Sequence, residues 1–143
     1  MTYSQAVEKI NSLLKFGSRP GLDRIETLLD KMGRPQDKTK FIHVAGTNGK
    51  GSVCTILSGV LRAAGYKTGL FLSPFIIDFR ERIQIDGEMI PEQALCEITG
   101  EIMPLVEEMA AQDEIITEFE LVTAIAFESV SYTHLRAHET RHD

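Results

Sequence analysis

The sequence predicts an α/β domain with a parallel sheet, and three observations carry that prediction. Residues 41–45, Phe-Ile-His-Val-Ala, form a short apolar run of the kind that fills a buried strand. Glycines follow at once, at positions 46, 49 and 51. A helical periodicity over residues 50–64 then leads into a second apolar run at 68–72. Strand, glycine-rich turn, helix and strand make a βαβ unit whose two strands should be parallel.

The flanking elements follow from the same kind of reading. Val7, Ile10, Leu13 and Leu14 recur at helical spacing, so residues 3–15 read as a helix that Ser4 would cap. Gly17, Pro20 and Gly21 interrupt it. Leu22, Ile25, Leu28, Leu29 and Met32 then share one face of a helix over residues 22–32, closed by Gly33 and Pro35. The helix of the βαβ unit should bury Val53, Ile56, Leu57, Val60 and Leu61, and Gly65 ends it. Downstream, Arg82-Ile83-Gln84-Ile85 and Glu88-Met89-Ile90 flank Asp86-Gly87, a hairpin signal. Pro91 suits the first turn of a helix reaching about Ala111 and kinked at Pro104. A last helix over residues 118–128 places Phe119, Val122, Ile125 and Ala126 on one face.

Composition excludes several classes of protein. A chain of 143 residues with 43% apolar and 25% charged residues suits a single folded core, not a disordered tail. Fifteen Lys and Arg against 21 Asp and Glu give a net charge of −6, which argues against a nonspecific nucleic-acid binder. Cys54 and Cys96 are too few for a disulfide scaffold and fit a reduced compartment. The first residues lack the apolar core of a signal peptide, and the longest apolar stretches fall far short of the roughly 20 residues that span a bilayer. The expectation is a cytoplasmic protein with no membrane and no nucleic acid among its partners.

The segment that carries chemistry is Gly46-Thr47-Asn48-Gly49-Lys50-Gly51-Ser52, between the first strand and its helix. Phosphate binding needs backbone N–H groups turned inward on a concave loop, and glycines let the anion approach. The helix that follows offers its own unbonded N–H groups and its positive dipole end. Lys50 supplies a mobile charge for the outer phosphates, and a first-turn hydroxyl can ligate Mg²⁺. The spacing departs from G-x-x-x-x-G-K-[ST]: Gly46 is three residues before Gly49, and Gly51 separates Lys50 from Ser52.

This loop resembles the P-loop of the folylpolyglutamate synthase/dihydrofolate synthase family, which is grouped with the Mur ligases. Lys15-Phe16-Gly17 with Pro20-Gly21-Leu22-Asp23-Arg24-Ile25, Phe71-Leu72-Ser73-Pro74, Phe79-Arg80-Glu81-Arg82-Ile83 and Thr117-Glu118-Phe119-Glu120 with Thr123 resemble further family elements, in order, over residues 1–129. The resemblance implies a P-loop, Mur-ligase-like central domain, incomplete in this chain, whose longer parent adds further domains. It implies that residues 46–52 hold ATP, with Lys50 on the outer phosphates, and that Ser73 and Glu120 ligate Mg²⁺. The segment around residues 73–82 would then lie near the folate or pterin pocket, and Phe75 departs from the His or Tyr of many relatives. The implied reaction joins L-glutamate to dihydropteroate or to a folate through an acyl phosphate, in an enzyme that is monomeric at full length. Two alternatives stay open: another Mur-type amide ligase, or a nucleotide-binding remnant without catalysis.

The resemblance stops near Ser129. Residues 131–143 hold three of the four histidines and read as a non-native tail, so the expected division is 1–129 and 130–143. His138-Glu139-Thr140-Arg141-His142 matches H-E-x-x-H, but no third ligand follows it and no protease cleft is suggested upstream.

Overall fold

Helices dominate the structure and, with one small sheet, give an α/β architecture. The computed structural model describes residues 1–46, 48–73, 75 and 77–142, with side chains as far as Ser131. The chain divides into two units, one joining Met1–Thr39 to Glu92–Asp143 and the other formed by Lys40–Pro91.

The first unit is helical. α1 (Tyr3–Asn11) starts at a capping box. Gln5 N–H donates to Thr2 Oγ1 at 3.2 Å, and Thr2 N–H donates to Gln5 Oε1 at 2.8 Å. Thr2 therefore caps this helix, in place of Ser4, because only Thr2 has a glutamine three positions on. A 3₁₀ turn (Ser12–Phe16) follows, then α2 (Asp23–Lys31). α4 (Glu92–Ala110) and α5 (Glu118–His142) are the long helices. Their heptad-like apolar positions meet: Leu95, Ile98, Ile102, Leu121, Val122 and Ile125 are all essentially inaccessible to solvent. Ile10 of α1 and Leu28 of α2 pack into the same core. Pro104 sits inside α4, facing the carbonyl of Gly100 that it cannot bond. α5 continues beyond the expected end near residue 128, since no Gly or Pro interrupts residues 129–142.

Two polar groups of this helical unit, one buried and one half-buried, make predictions. Thr99 is fully buried in α4, and its hydroxyl has no hydrogen-bond partner among the described residues. Thr99→Val should stabilise the protein by about 1 kcal/mol, because an unpaired buried hydroxyl costs that order of energy and a methyl does not. Urea unfolding of the variant checks this; a lower midpoint contradicts it. Burial pushes the Glu128 carboxyl above its ordinary value of 4.5, Glu101 adds to the rise, and Lys38 opposes it. The folded state therefore holds this proton more tightly than the unfolded chain. The stability it contributes is fully present below the unfolded pKa and is lost as pH rises through the folded one. Glu128→Gln should flatten that fall above pH 4.5, read as the difference between the two unfolding free energies across the pH range.

The second unit holds α3 (Lys50–Ala63) and a three-stranded sheet in the order β1 (Gly69–Phe71), β2 (Ile83–Ile85), β3 (Glu88–Met89). Both pairings are antiparallel. Asp86 and Gly87 have φ of 52° and 84°, the left-handed pair of a tight hairpin turn. A side chain at 87 would also collide with the Arg62 guanidinium, which donates to the Asp86 carbonyl at 3.2 Å. Ahead of β2, the 3₁₀ turn Phe79–Arg82 starts at a second capping box, with Asp78 as its N-cap. Glu81 Oε2 accepts from Asp78 N–H at 2.7 Å, and Asp78 Oδ1 accepts from Arg80 N–H at 2.9 Å.

This unit corrects two expectations. The second apolar run does form a strand, but residues 41–46 do not, and no parallel pair occurs among the described residues. β1 takes the hairpin strand β2 as its neighbour instead, a local partner that needs no crossover. The predicted core face of α3 is consequently uncovered: Val53, Ile56 and Val60 are exposed, and Ser58 is the one buried residue among the helix's described side chains. A parallel sheet would have supplied the surface those side chains were expected to meet.

Candidate functional site

The glycine-rich loop ends where α3 begins. Gly49 takes a left-handed conformation, φ 78°, and offers the helix no side-chain cap. Val53 N–H donates to the Gly49 carbonyl at 3.0 Å, so the helix bonds start there. The N–H groups of Lys50, Gly51 and Ser52 precede that bond and have no acceptor one turn back within the helix. They converge with the positive end of the helix dipole on the space that an anion would fill. Gly46, Asn48, Gly51, Ser52 and Lys50 are all exposed there. The Lys50 stem passes over Gly46, its Cγ standing 3.8 Å from where a Cβ on that glycine would lie. This donor set fits a polyphosphate. Thr47, the remaining loop residue, lies outside the described residues.

Ser73 belongs to the same unit, just past β1, and is exposed. Its Oγ accepts from Arg82 Nη2 at 3.5 Å. The Phe79 ring lies under the Arg82 guanidinium, 5.5 Å away, and packs edge-on to Phe75 with ring centres 5.9 Å apart. Ser73 therefore sits beside a positive charge, which a divalent cation would have to outweigh.

Glu120 belongs to the helical unit. It is nearly buried and engaged at both oxygens. Oε1 accepts from Thr117 N–H at 3.0 Å and from the Thr117 hydroxyl at 3.1 Å, while Thr117 Oγ1 accepts from Glu120 N–H at 3.3 Å. This is the capping box that starts α5. Oε2 lies 3.4 Å from Arg24 Nη2.

Beside Glu120 opens a cleft of about 420 Å³ between the segment 14–25 and the start of α5. Leu14, Leu22 and Phe119 line it and are 58%, 68% and 56% exposed. Phe119 and Leu22 were expected on core faces of their helices; both face this opening instead. Periodicity placed them inward because a cleft wall and a core face carry the same apolar pattern. Arg24 is a further residue whose part only the structure reveals, since its acceptors lie at 19, 20 and 120.

The side chains of the H-E-x-x-H tail lie outside the described residues, and among those that are described no group of three or more metal-binding side chains occurs. No helix among the described residues is long and apolar enough to cross a membrane.

No family model matches the chain. Individual proteins do. Over 127 residues it is 42% identical to the dihydrofolate synthase/folylpolyglutamate synthase of Bacillus subtilis, an alignment spanning 87% of this chain and 29% of that protein. The solved folylpolyglutamate synthetase of Lactobacillus casei superposes with a TM-score of 0.85 at 39% identity, covering 95% of this chain and 34% of that one. A structure described as a folylpolyglutamate synthase complex with AMPPCP and folate gives a TM-score of 0.83 at 39% identity, covering 95% of this chain and 33% of its own. The chain spans between 15% and 30% of the length of the curated relatives it matches.

Proposed function

Because the chain is homologous to part of the folylpolyglutamate and dihydrofolate synthases, we propose that its protein is an ATP-dependent ligase joining L-glutamate to a folate, to dihydropteroate, or to both. The observation that carries this reading is the start of α3, an uncapped helix N-terminus behind Gly49 with Lys50 at its first position. In that reading residues 46–52 are the P-loop of a Mur-ligase-like ATP-binding domain to which residues 1–129 contribute, and residues 130–143 are not needed.

The chemical task is to bring a carboxylate anion to a triphosphate. The loop N–H groups and Lys50 lower that repulsion and stabilise charge on the phosphoryl group in transfer. Glycine at 46, 49 and 51 keeps the approach to the backbone open. Ser52 and Asn48 add polar contacts at the rim, and Thr47 is the remaining polar residue of the loop sequence. Mg²⁺ accompanying the nucleotide would supply further charge neutralisation, with Ser73 and Glu120 each taken singly as a candidate ligand. The cleft walled by Leu14, Leu22, Ile25 and Phe119 has the size and apolar lining to take the flat ring of a folate, with Arg19 at its edge for the anionic part. In this reading the enzyme is cytoplasmic and monomeric and takes small-molecule substrates; the acidic composition disfavours nucleic acid and an anionic membrane surface as partners.

The test is to express the full-length protein that carries this sequence and supply labelled glutamate with ATP·Mg²⁺ and, separately, dihydropteroate or tetrahydrofolate. Label should enter a folate product with release of ADP and phosphate. ATP binding without product from either acceptor would favour the non-catalytic alternative.

A further inference from the structure

We propose that Arg24 is a positioning residue, clasping the loop of residues 17–22 to the first turn of α5 and so setting the shape of the cleft between them. The inference rests on the substrate reading of that cleft given above.

The loop has little to hold it in place. Gly17 and Gly21 take left-handed φ of 64° and 103°, and neither has a neighbour within 4 Å of where a Cβ would stand. Residues 18–21 make no backbone–backbone hydrogen bond among the described residues. Arg24 supplies what is missing. Its Nη2 donates to the carbonyl of Arg19 at 3.0 Å and to that of Pro20 at 3.4 Å. Its Nε donates to Glu120 Oε1 at 3.4 Å, and Nη2 lies 3.4 Å from Glu120 Oε2. Glu120 is itself pinned by the Thr117 N–H and hydroxyl. One guanidinium therefore links the wall carrying Arg19, Gly21 and Leu22 to the wall carrying Thr117, Phe119 and Glu120.

The planar fork of arginine is what permits this. It directs several N–H groups at separate acceptors in one plane, and an ammonium on a flexible stem does not. The arginine and carboxylate side chains are only 20% and 10% exposed, so water competes weakly for them. A loop held in its binding shape spares a ligand the cost of ordering it.

The test uses the 143-residue chain with folic acid as the probe. Calorimetry gives the affinity, and ¹⁵N relaxation gives backbone order at Ser18, Gly21 and Leu22. Arg24→Gln should bind folic acid about tenfold more weakly while loop order falls and the amides of α4 keep theirs. Arg24→Lys should recover part of both. Unchanged affinity or unchanged loop order in Arg24→Gln overturns the proposal. Should Arg24→Gln not fold, Arg24→Lys decides, and wild-type loop order in it counts against the clasp. If the unmodified chain does not bind folic acid, the substrate reading of the cleft fails on its own. Loop order then judges the clasp, a fall in Arg24→Gln supporting it and no change overturning it.

Discussion

Lys50→Ala should lower ATP-dependent turnover of the full-length protein by about 10²–10³-fold, as removal of one preorganised charge or donor at a phosphoryl or oxyanion site typically does. Lys50 is the first residue of α3, and its stem crosses Gly46 at the mouth of the loop. The backbone N–H groups of the loop remain in the variant, so nucleotide binding should weaken less than the chemical step. The charge partner of the transferring group is gone, and with it an interaction that strengthens toward the transition state. Lys50→Arg keeps the charge but replaces a compact ammonium by a broad planar group, and should restore activity only in part. Steady-state ADP release, with far-UV circular dichroism as the folding control, separates these outcomes. Near-normal turnover in a folded Lys50→Ala protein would remove Lys50 from the phosphate site.

The parts of this structure legible in the sequence are those set by local rules. Asp86-Gly87 announced the hairpin because that turn needs two left-handed residues, and both are left-handed. Helix α2 ends as Gly33 and Pro35 indicated, and the loop before α3 places Gly49 where a positive φ is required. What failed depended on partners. Residues 41–45 have a buried-strand composition, yet a strand is defined by the neighbour it bonds, and β1 found its own in the hairpin. Val53, Ile56 and Val60 share a helical stripe, but a stripe says only that some surface is meant to meet it. The site divides in the same way. The glycine-rich loop proposed to hold phosphate is contiguous, so its pattern is visible in the sequence. The Arg24–Glu120 link spans 96 positions, and no spacing rule reaches that far.

Glu120 has a structural role in its contacts and a proposed one as a metal ligand, and its substitutions should separate the two. As a structural residue it closes the capping box of α5 and pairs with Arg24. Glu120→Gln keeps an acceptor for the Thr117 N–H, since glutamine serves the capping box as glutamate does, but it removes the charge facing Arg24. The expected loss is about 1–2 kcal/mol, below that of a fully buried ion pair because Arg24 retains its two carbonyl acceptors. Glu120→Ala loses the cap as well and should cost about 1 kcal/mol more. As a metal ligand the residue behaves differently: both variants lack the anionic oxygen and should raise the Mg²⁺ concentration needed for AMPPCP binding to a similar extent, whatever their difference in stability. Denaturant unfolding and a Mg²⁺ titration of AMPPCP binding, run on the same preparations, read the two roles independently. If stability falls in the order Gln then Ala while the Mg²⁺ requirement stays at its wild-type value, the carboxylate serves only the fold. If the Mg²⁺ requirement rises alike in both, the residue that completes the cap of α5 also holds the cation, and binding must draw its outer oxygen away from Arg24.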